Sequence, residues 1–98
     1  MRRILEFEAK AAALALARIP KAERMRIFAL WVHQADWAHK IHKRTGAPHP
    51  VWGNGSLYQA MHFQAEEQFD YSNLSHCDAL GSVLDMLMKR SQTNLITP

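Results

Sequence analysis

Cysteine is almost absent from this 98-residue chain, and the single Cys77 excludes a disulfide within it. A chain without disulfides is typical of a reducing compartment. Long apolar runs are also missing, since the longest, from Ala11 to Ala17, is far shorter than the ~20 residues of a membrane-spanning helix. Two arginines precede that run as in a signal peptide, but Glu6, Glu8 and Lys10 interrupt the apolar core that such a peptide requires. We therefore expect a cytoplasmic protein with no membrane partner.

The sequence also lacks a convincing set of catalytic or metal-binding residues. His39 and His42 have the spacing of a helical zinc pair, but the basic side chains around them disfavour a divalent cation. Neighbouring residues of a helix point about 100° apart, so His76 and Cys77 do not form a nucleophilic dyad by themselves. The GNGS segment, residues 53–56, does not follow a strand as a phosphate-binding loop requires. We predict that the protein is not an enzyme and binds neither a metal nor a cofactor.

What the sequence has in abundance is helical periodicity, and no segment alternates convincingly as a strand does. The apolar spacing predicts a first helix over about residues 3–18 and a second over about residues 21–44. Pro20 ends the first helix because it lacks an amide donor, and it suits the first turn of the next helix. So short a connection folds the two helices back as an antiparallel hairpin. The predicted fold class is all-α.

A loop rich in proline and glycine follows the hairpin over residues 45–55 and leads into two shorter helices. We interpret Trp52 as a buried apolar group that fixes the path of this loop, the alternative being an aromatic platform for a base or ligand. Ser56 is a natural N-cap, and Gln59 three residues later completes a capping box. This pattern predicts a short helix over about residues 57–68.

The last predicted helix begins at Ser75, with Asp78 closing a second capping box. Gly81 lowers the helix propensity of this segment and therefore suggests close packing at that turn. The final residues, 91–98, show no pattern, and we expect a flexible tail there. Residues 1–90 would then form a single helical domain.

The second helix is apolar around most of its circumference, with one narrow stripe of solvated side chains. Its two apolar rows form a sector wider than a single partner helix covers. Such a helix is either central in its domain or shared with another subunit, and in so short a chain we expect self-association. The predicted interface between copies consists of Ile27, Leu30, Trp31, Gln34, Trp37 and Ile41.

Positive charge is concentrated in the front half of the chain. Residues 1–45 contain ten Lys and Arg against four Asp and Glu, whereas residues 46–98 contain two against five. This asymmetry suggests a polyanionic or acidic partner, although charges that only solvate helix surfaces give the same composition. An antiparallel hairpin gathers these residues at its two ends, and copies arranged side by side would repeat the ends as a positive ring suited to DNA phosphates. The predicted DNA-binding residues are Arg2, Arg3, Lys40, Lys43 and Arg44 at the open end and Arg18, Lys21, Arg24 and Arg26 at the bend.

The segment HPVWGNGSL, from His49 to Leu57, resembles a motif of small terminase subunits from gene transfer agents, which are domesticated phage-like particles. The resemblance implies a ring-forming, non-enzymatic DNA-packaging component that brings DNA to a large terminase subunit carrying the ATPase and nuclease. The hairpin would correspond to the oligomerisation core, and the C-terminal region to the contact with the large subunit. Phage small terminases usually begin with a helix-turn-helix domain, for which no room exists before Arg3. The expectation is therefore weak DNA binding without sequence preference.

A second class of function fits the same charges. A small helical adaptor or phage-type regulator would bind an acidic protein surface through its basic residues and would bind no DNA. If a protein partner is still captured after nuclease treatment, this alternative is favoured over DNA packaging.

Overall fold

Four α-helices make up the regular structure of the described residues, as the helical periodicity predicts. The computed structural model describes residues 1–63 and 67–96, with side chains described as far as residue 90. No β-strand occurs in these ranges. In chain order the helices are α1 (Glu6–Ala17), α2 (Lys21–Thr45), α3 (Leu57–Met61) and α4 (Leu74–Ile96).

The core forms where the alanine-rich face of α1 meets α4. Ala12, Ala13 and Leu16 of α1 are buried together with Ala79 and Val83 of α4. Small side chains let the two helix backbones approach closely, so α1 packs mainly against α4 and less against its neighbour in sequence, α2. The long-range partner of the first helix is therefore the last one, a pairing that the sequence analysis did not identify.

The first two helices run antiparallel, in agreement with the predicted hairpin. Arg24, near the start of α2, donates from Nε to the carbonyl oxygen of Leu16 at the end of α1, at 3.0 Å. At the opposite end, the ammonium of Met1 pairs with the carboxylate of Asp36 on α2. The start of α1 therefore lies beside the C-terminal half of α2.

The ends of α2 follow the predicted signals. The helix starts directly after Pro20 and ends at Gly46, which has the left-handed φ of 76° that glycine tolerates. The amide of Gly46 donates to the carbonyl oxygen of His42 at 2.8 Å, which satisfies one of the last carbonyls of the helix. Its buried stripe is narrow and consists of Arg24, Phe28, Val32, Ala35 and Ala38.

The loop after α2 is a tight turn held by its own histidine. The backbones of His49 and Gly53 exchange both hydrogen bonds of an antiparallel bridge, at 2.7 and 3.0 Å. The His49 Nδ1 atom accepts from the amides of Val51 and Trp52, both at 3.0 Å. Trp52 is half-buried, less than its interpretation as a buried anchor requires, and its ring stacks on that of His49 with centroids 4.7 Å apart.

The third helix is shorter than the pattern suggests. Ser56 caps it as predicted, since its Oγ accepts from the amide of Gln59 at 3.2 Å. The Gln59 side chain does not complete the box, because its Oε1 accepts from the amide of Asn54. The helix ends at Met61 because His62 adopts a left-handed conformation with a φ of 53°. Residues 64–66 of the predicted helix lie outside the described residues.

The N-cap of α4 is not Ser75, as predicted, but Asn73. Asn73 caps the helix because its Oδ1 accepts hydrogen bonds from the amides of Ser75 and His76, at 2.9 and 3.3 Å. Asp78, which was expected to close a box with Ser75, points to basic side chains on α2 instead. The expected close packing at Gly81 is wrong, since a Cβ there would meet no atom within 4 Å.

The C-terminal end of α4 reaches into the predicted tail. The helical backbone continues to Ile96, beyond the domain boundary expected at residue 90. Residues 97–98 and the side chains of residues 91–96 lie outside what the structure describes. The flexibility expected of this segment stays a prediction.

Candidate functional site

The basic residues of the hairpin bend are neutralised by acidic partners. Arg18 lies 3.5 Å from a carboxylate oxygen of Glu67, and Lys21 lies 3.3 Å from Asp78. Arg26 pairs with Glu23 on the same helix at 2.7 Å. Three carboxylates thus face the four basic residues of the bend, since Asp78 also pairs with Arg24, and this reduces the attraction of the bend for a phosphate.

Arg24 stands apart from the other bend residues because it belongs to the core. Its side chain is buried, with 8% of the residue exposed. It donates to the Leu16 carbonyl oxygen from Nε and to Asp78 Oδ2 from Nη1, at 3.0 and 2.9 Å. The bonds from Arg24 and then from Lys21 hold the pKa of Asp78 below its usual range. Arg24 therefore joins α1, α2 and α4, and its assignment to a DNA-binding surface does not fit this burial.

The open end of the hairpin keeps its positive charge. We call Arg2, Arg3, Lys40, Lys43 and Arg44 the cationic end. All five side chains are exposed, and within the described ranges none of them forms an ion pair with an acidic group. The structure brings them to one end because the start of α1 lies beside the last turns of α2. This cluster is the candidate functional site.

Arg2 is held in place by the loop. Its amide donates to the carbonyl oxygen of Gly55 at 2.9 Å, and its Nε donates to that of Asn54 at 2.9 Å. Its Nη2 also lies 3.1 Å from Nδ1 of His42 on α2. The guanidinium thus bridges the loop and the second helix, and none of these three partners is a carboxylate that would offset its charge.

Gly55 allows the loop to approach α2 closely. Its φ is 98°, and a Cβ at this position would lie 2.6 Å from Cβ and 2.7 Å from Cα of His39. Only glycine fits such a backbone angle against a helix backbone. Two residues of the HPVWGNGSL segment, Asn54 and Gly55, thus bring their carbonyl oxygens to Arg2. Arg2 was predicted as a site residue, but its carbonyl partners were not, because no side-chain pattern reveals a backbone acceptor.

The electrostatic environment of His39 reflects the positive charge nearby. Partial removal from water lowers its pKa below the usual 6.5, and the Met1 ammonium, Lys43 and Arg2 lower it further. An imidazole whose pKa is lowered by surrounding cations indicates a site that favours an anion.

The predicted interface on α2 is partly open. Leu30 and Trp37 are 45% and 47% exposed. The other predicted interface residues, Ile27, Trp31, Gln34 and Ile41, are half-buried. The single chain therefore leaves an apolar row of α2 in contact with water, next to the cationic end.

In the part of the chain that the structure covers, no three His, Cys, Asp or Glu side chains come close enough together to hold a metal ion. In the same residues no helix is both long and apolar enough to cross a membrane.

These features define a small all-α domain with one unneutralised cationic end. A family model matches residues 2–87, so the chain belongs to the family described as a domain of unknown function (DUF7742). Comparison with curated proteins and with solved structures gives no match.

Proposed function

We propose that the protein is a non-enzymatic, self-associating component of a phage-like DNA-packaging apparatus, and that it binds DNA weakly and without sequence preference. The observation that carries the proposal is the contrast between the two ends of the hairpin. Every basic residue of the bend has an acidic partner, whereas the cationic end is left with five exposed basic residues and no acidic partner in the described ranges.

Phosphate contacts explain why such an end would bind DNA without reading its sequence. Lysine and arginine contacts to phosphates release condensed counterions, so the affinity falls steeply with salt. Sequence readout needs a helix that presents Asn, Gln or Arg to base edges in the major groove. The exposed face at the end of α2 presents Lys40, Lys43 and Arg44, without the Asn or Gln that pairs with adenine.

Self-association would use the open apolar row of α2. Leu30 and Trp37 lie two turns apart on one face of this helix, and both are about half exposed. Burying the exposed half of each side chain in a contact between copies contributes on the order of 1 kcal/mol each. Copies that meet along this row place their cationic ends side by side, which multiplies the phosphate contacts per assembly.

The packaging role is supported by the resemblance of HPVWGNGSL to small terminase subunits of gene transfer agents. In that role the assembly delivers DNA to a large terminase subunit. The candidate surface for this contact is α4, which leaves Leu84 and Met88 exposed to solvent.

A charge-matched pair of variants tests the DNA-binding part. The triple variant Lys40→Gln, Lys43→Gln, Arg44→Gln removes three charges from the cationic end, and Arg18→Gln, Lys21→Gln, Arg26→Gln removes three from the bend. Fluorescence anisotropy with a labelled duplex at several salt concentrations should show at least about tenfold weaker binding for the first triple at low salt. Its log–log salt slope should also fall by about 2.7, if all three side chains contact phosphates.

The bend triple should bind nearly as the unmodified protein does. Equal losses in both triples, or no salt-dependent binding by the unmodified protein, would refute the proposal. A chain that binds no DNA but captures an acidic protein after nuclease treatment would instead support the adaptor alternative.

Sedimentation velocity tests the self-association part. The unmodified protein should sediment as an oligomer, and the double variant Leu30→Ser, Trp37→Ser should shift it toward the monomer. A monomeric unmodified protein at high concentration would contradict this part of the proposal.

A further inference from the structure

A second feature lies beside the cationic end, between the N-terminal segment, α1 and the start of α3. It is a surface depression of about 290 Å³, close to the lower size limit of small-ligand sites. We call it the aromatic depression, and its main lining residues are Arg2, Arg3, Phe7, Tyr58 and Gln59. It thus adjoins two of the unneutralised arginines.

Two aromatic rings form the apolar wall of this depression. The ring centroids of Phe7 and Tyr58 are 5.4 Å apart, and their planes are inclined at 59°. Phe7 is 54% exposed, although α1 has a well-buried apolar face toward α4. The ring therefore adds little to the core and offers an accessible π surface.

The polar wall carries positive charge and free donors. Arg3 is exposed and makes no ion pair with the side chains described in residues 1–63 and 67–90. Gln59 accepts from the amide of Asn54 through Oε1 at 2.7 Å, which orients its NH₂ group, and this group has no hydrogen-bond partner in the described ranges. The wall also contains the acidic residue Glu8, which is 3% exposed. Both of its carboxylate oxygens accept hydrogen bonds from backbone amides. Its charge is therefore satisfied within the fold.

The aromatic surface, the adjacent guanidinium and the oriented amide are groups that can contact the base and the phosphate of a nucleotide. Aromatic side chains stack on bases, basic side chains bind the neighbouring phosphates, and amide groups bond to base edges. We propose that the aromatic depression binds an unpaired nucleobase, so that the protein prefers single-stranded DNA, or a frayed or overhanging end, to an intact duplex. This inference rests on the proposed function.

The preference for single-stranded DNA follows from the accessibility of the base faces in each form of DNA. In a duplex each base is stacked between its neighbours and offers only an edge, so Phe7 finds no free face. In a single strand every base has an exposed face, and stacking tolerates any sequence. The cationic end would contact phosphates in both forms, and only the aromatic depression would distinguish them.

Binding of a labelled short oligothymidine and a labelled duplex of equal length, compared by anisotropy at one fixed salt concentration, tests the inference. The unmodified protein should bind the single strand about tenfold more tightly. Phe7→Leu keeps an apolar helix-forming side chain but removes the π surface, and it should abolish most of that preference while leaving duplex affinity unchanged. Phe7→Trp should retain the preference, which separates stacking from a general effect on folding.

Tyr71→Leu is the matched control, because Tyr71 is an exposed aromatic residue that does not line the depression. An equal loss of preference in this variant would overturn the inference. Salt-dependent binding of equal strength to both DNA forms would overturn the inference and leave the proposed function intact. Binding to neither form would overturn both.

Discussion

The carboxylate of Glu8 and the amide of Tyr58 form a buried hydrogen bond of 2.9 Å that joins α1 to α3. The second carboxylate oxygen of Glu8 accepts from the amide of Leu5, at the start of its own helix. One buried acid therefore satisfies amides in the first turn of α3 and at the beginning of α1. This arrangement aligns the N-terminal segment with the loop that holds Arg2.

Replacing Glu8 by glutamine should destabilise the protein by about 1.5–3 kcal/mol, because the amide has only one acceptor oxygen for two backbone donors. The free energy of unfolding from urea denaturation measures this loss. Glu6→Gln is the control, since Glu6 is exposed and makes only an i,i+4 pair with Lys10, and it should change stability by less than about 0.5 kcal/mol. Similar losses for both variants would show that Glu8 does not have this role.

Two glycines should respond in opposite directions to substitution by alanine. Gly55→Ala should destabilise the fold by about 2 kcal/mol or more, since the new Cβ would collide with the backbone of α2 at His39 and the positive φ would be strained. Gly81→Ala should stabilise it by about 0.5–1 kcal/mol, because it meets no neighbour and alanine favours the helix. Thermal unfolding followed by circular dichroism tests both, and a stabilising Gly55→Ala would contradict the loop geometry.

Local signals in the sequence were sufficient to predict most helices. Pro20, Gly46 and Ser56 mark their boundaries correctly because each acts through its own backbone or through an amide three residues away. The cap of α4 was wrong by two residues because Asn73 and Ser75 are both good caps, and only the observed backbone brings Asn73 Oδ1 to two amides.

Long-range partners could not be predicted in the same way. The position of Arg2 beside the end of α2 follows from the hairpin alone, whereas the role of the cationic end in DNA binding stays a prediction. Neutralisation of the bend depends on Glu67 and Asp78, which are distant in sequence from Arg18 and Lys21. A signal for Arg24 did exist, since it shares a helical row with the buried Phe28, and a charged residue on a core stripe points to an internal partner.

The ion pair between Asp78 and Arg24 should contribute to the pH dependence of stability. The pKa of Asp78 is lowered in the folded protein from its usual 3.8, mainly by its bond to Arg24 and then by Lys21. The unfolded chain therefore takes up this proton first, so the contribution is complete above about pH 4 and is lost as the pH falls through the folded pKa. Urea denaturation between about pH 6 and pH 3 should show a smaller decrease in stability for Asp78→Asn than for the unmodified protein.

Asp85→Asn is the control for this measurement, since Asp85 lies on the same helix and pairs with Lys89 at 3.0 Å on an exposed surface. It should follow the pH profile of the unmodified protein closely. If Asp78→Asn has that same profile too, the pair with Arg24 does not contribute to acid sensitivity.

Binding of DNA at the cationic end should be coupled to protonation of His39. Partial removal from water and the nearby cations lower the pKa of His39 below its usual 6.5 in the free protein. A DNA phosphate placed among Arg2, Lys43 and the Met1 ammonium would favour the protonated form and raise that pKa. The complex would then bind more protons than the free protein, so the affinity should rise several-fold as the pH falls from about 7.5 to 5.5 at constant salt.

Anisotropy titrations should show a weaker rise for the variant His39→Gln. The control is His33→Gln, which replaces an exposed histidine earlier on α2 and should keep the full effect. An unchanged pH dependence in His39→Gln would place the bound phosphates away from this histidine, because proton uptake at His39 requires an anion close to its ring.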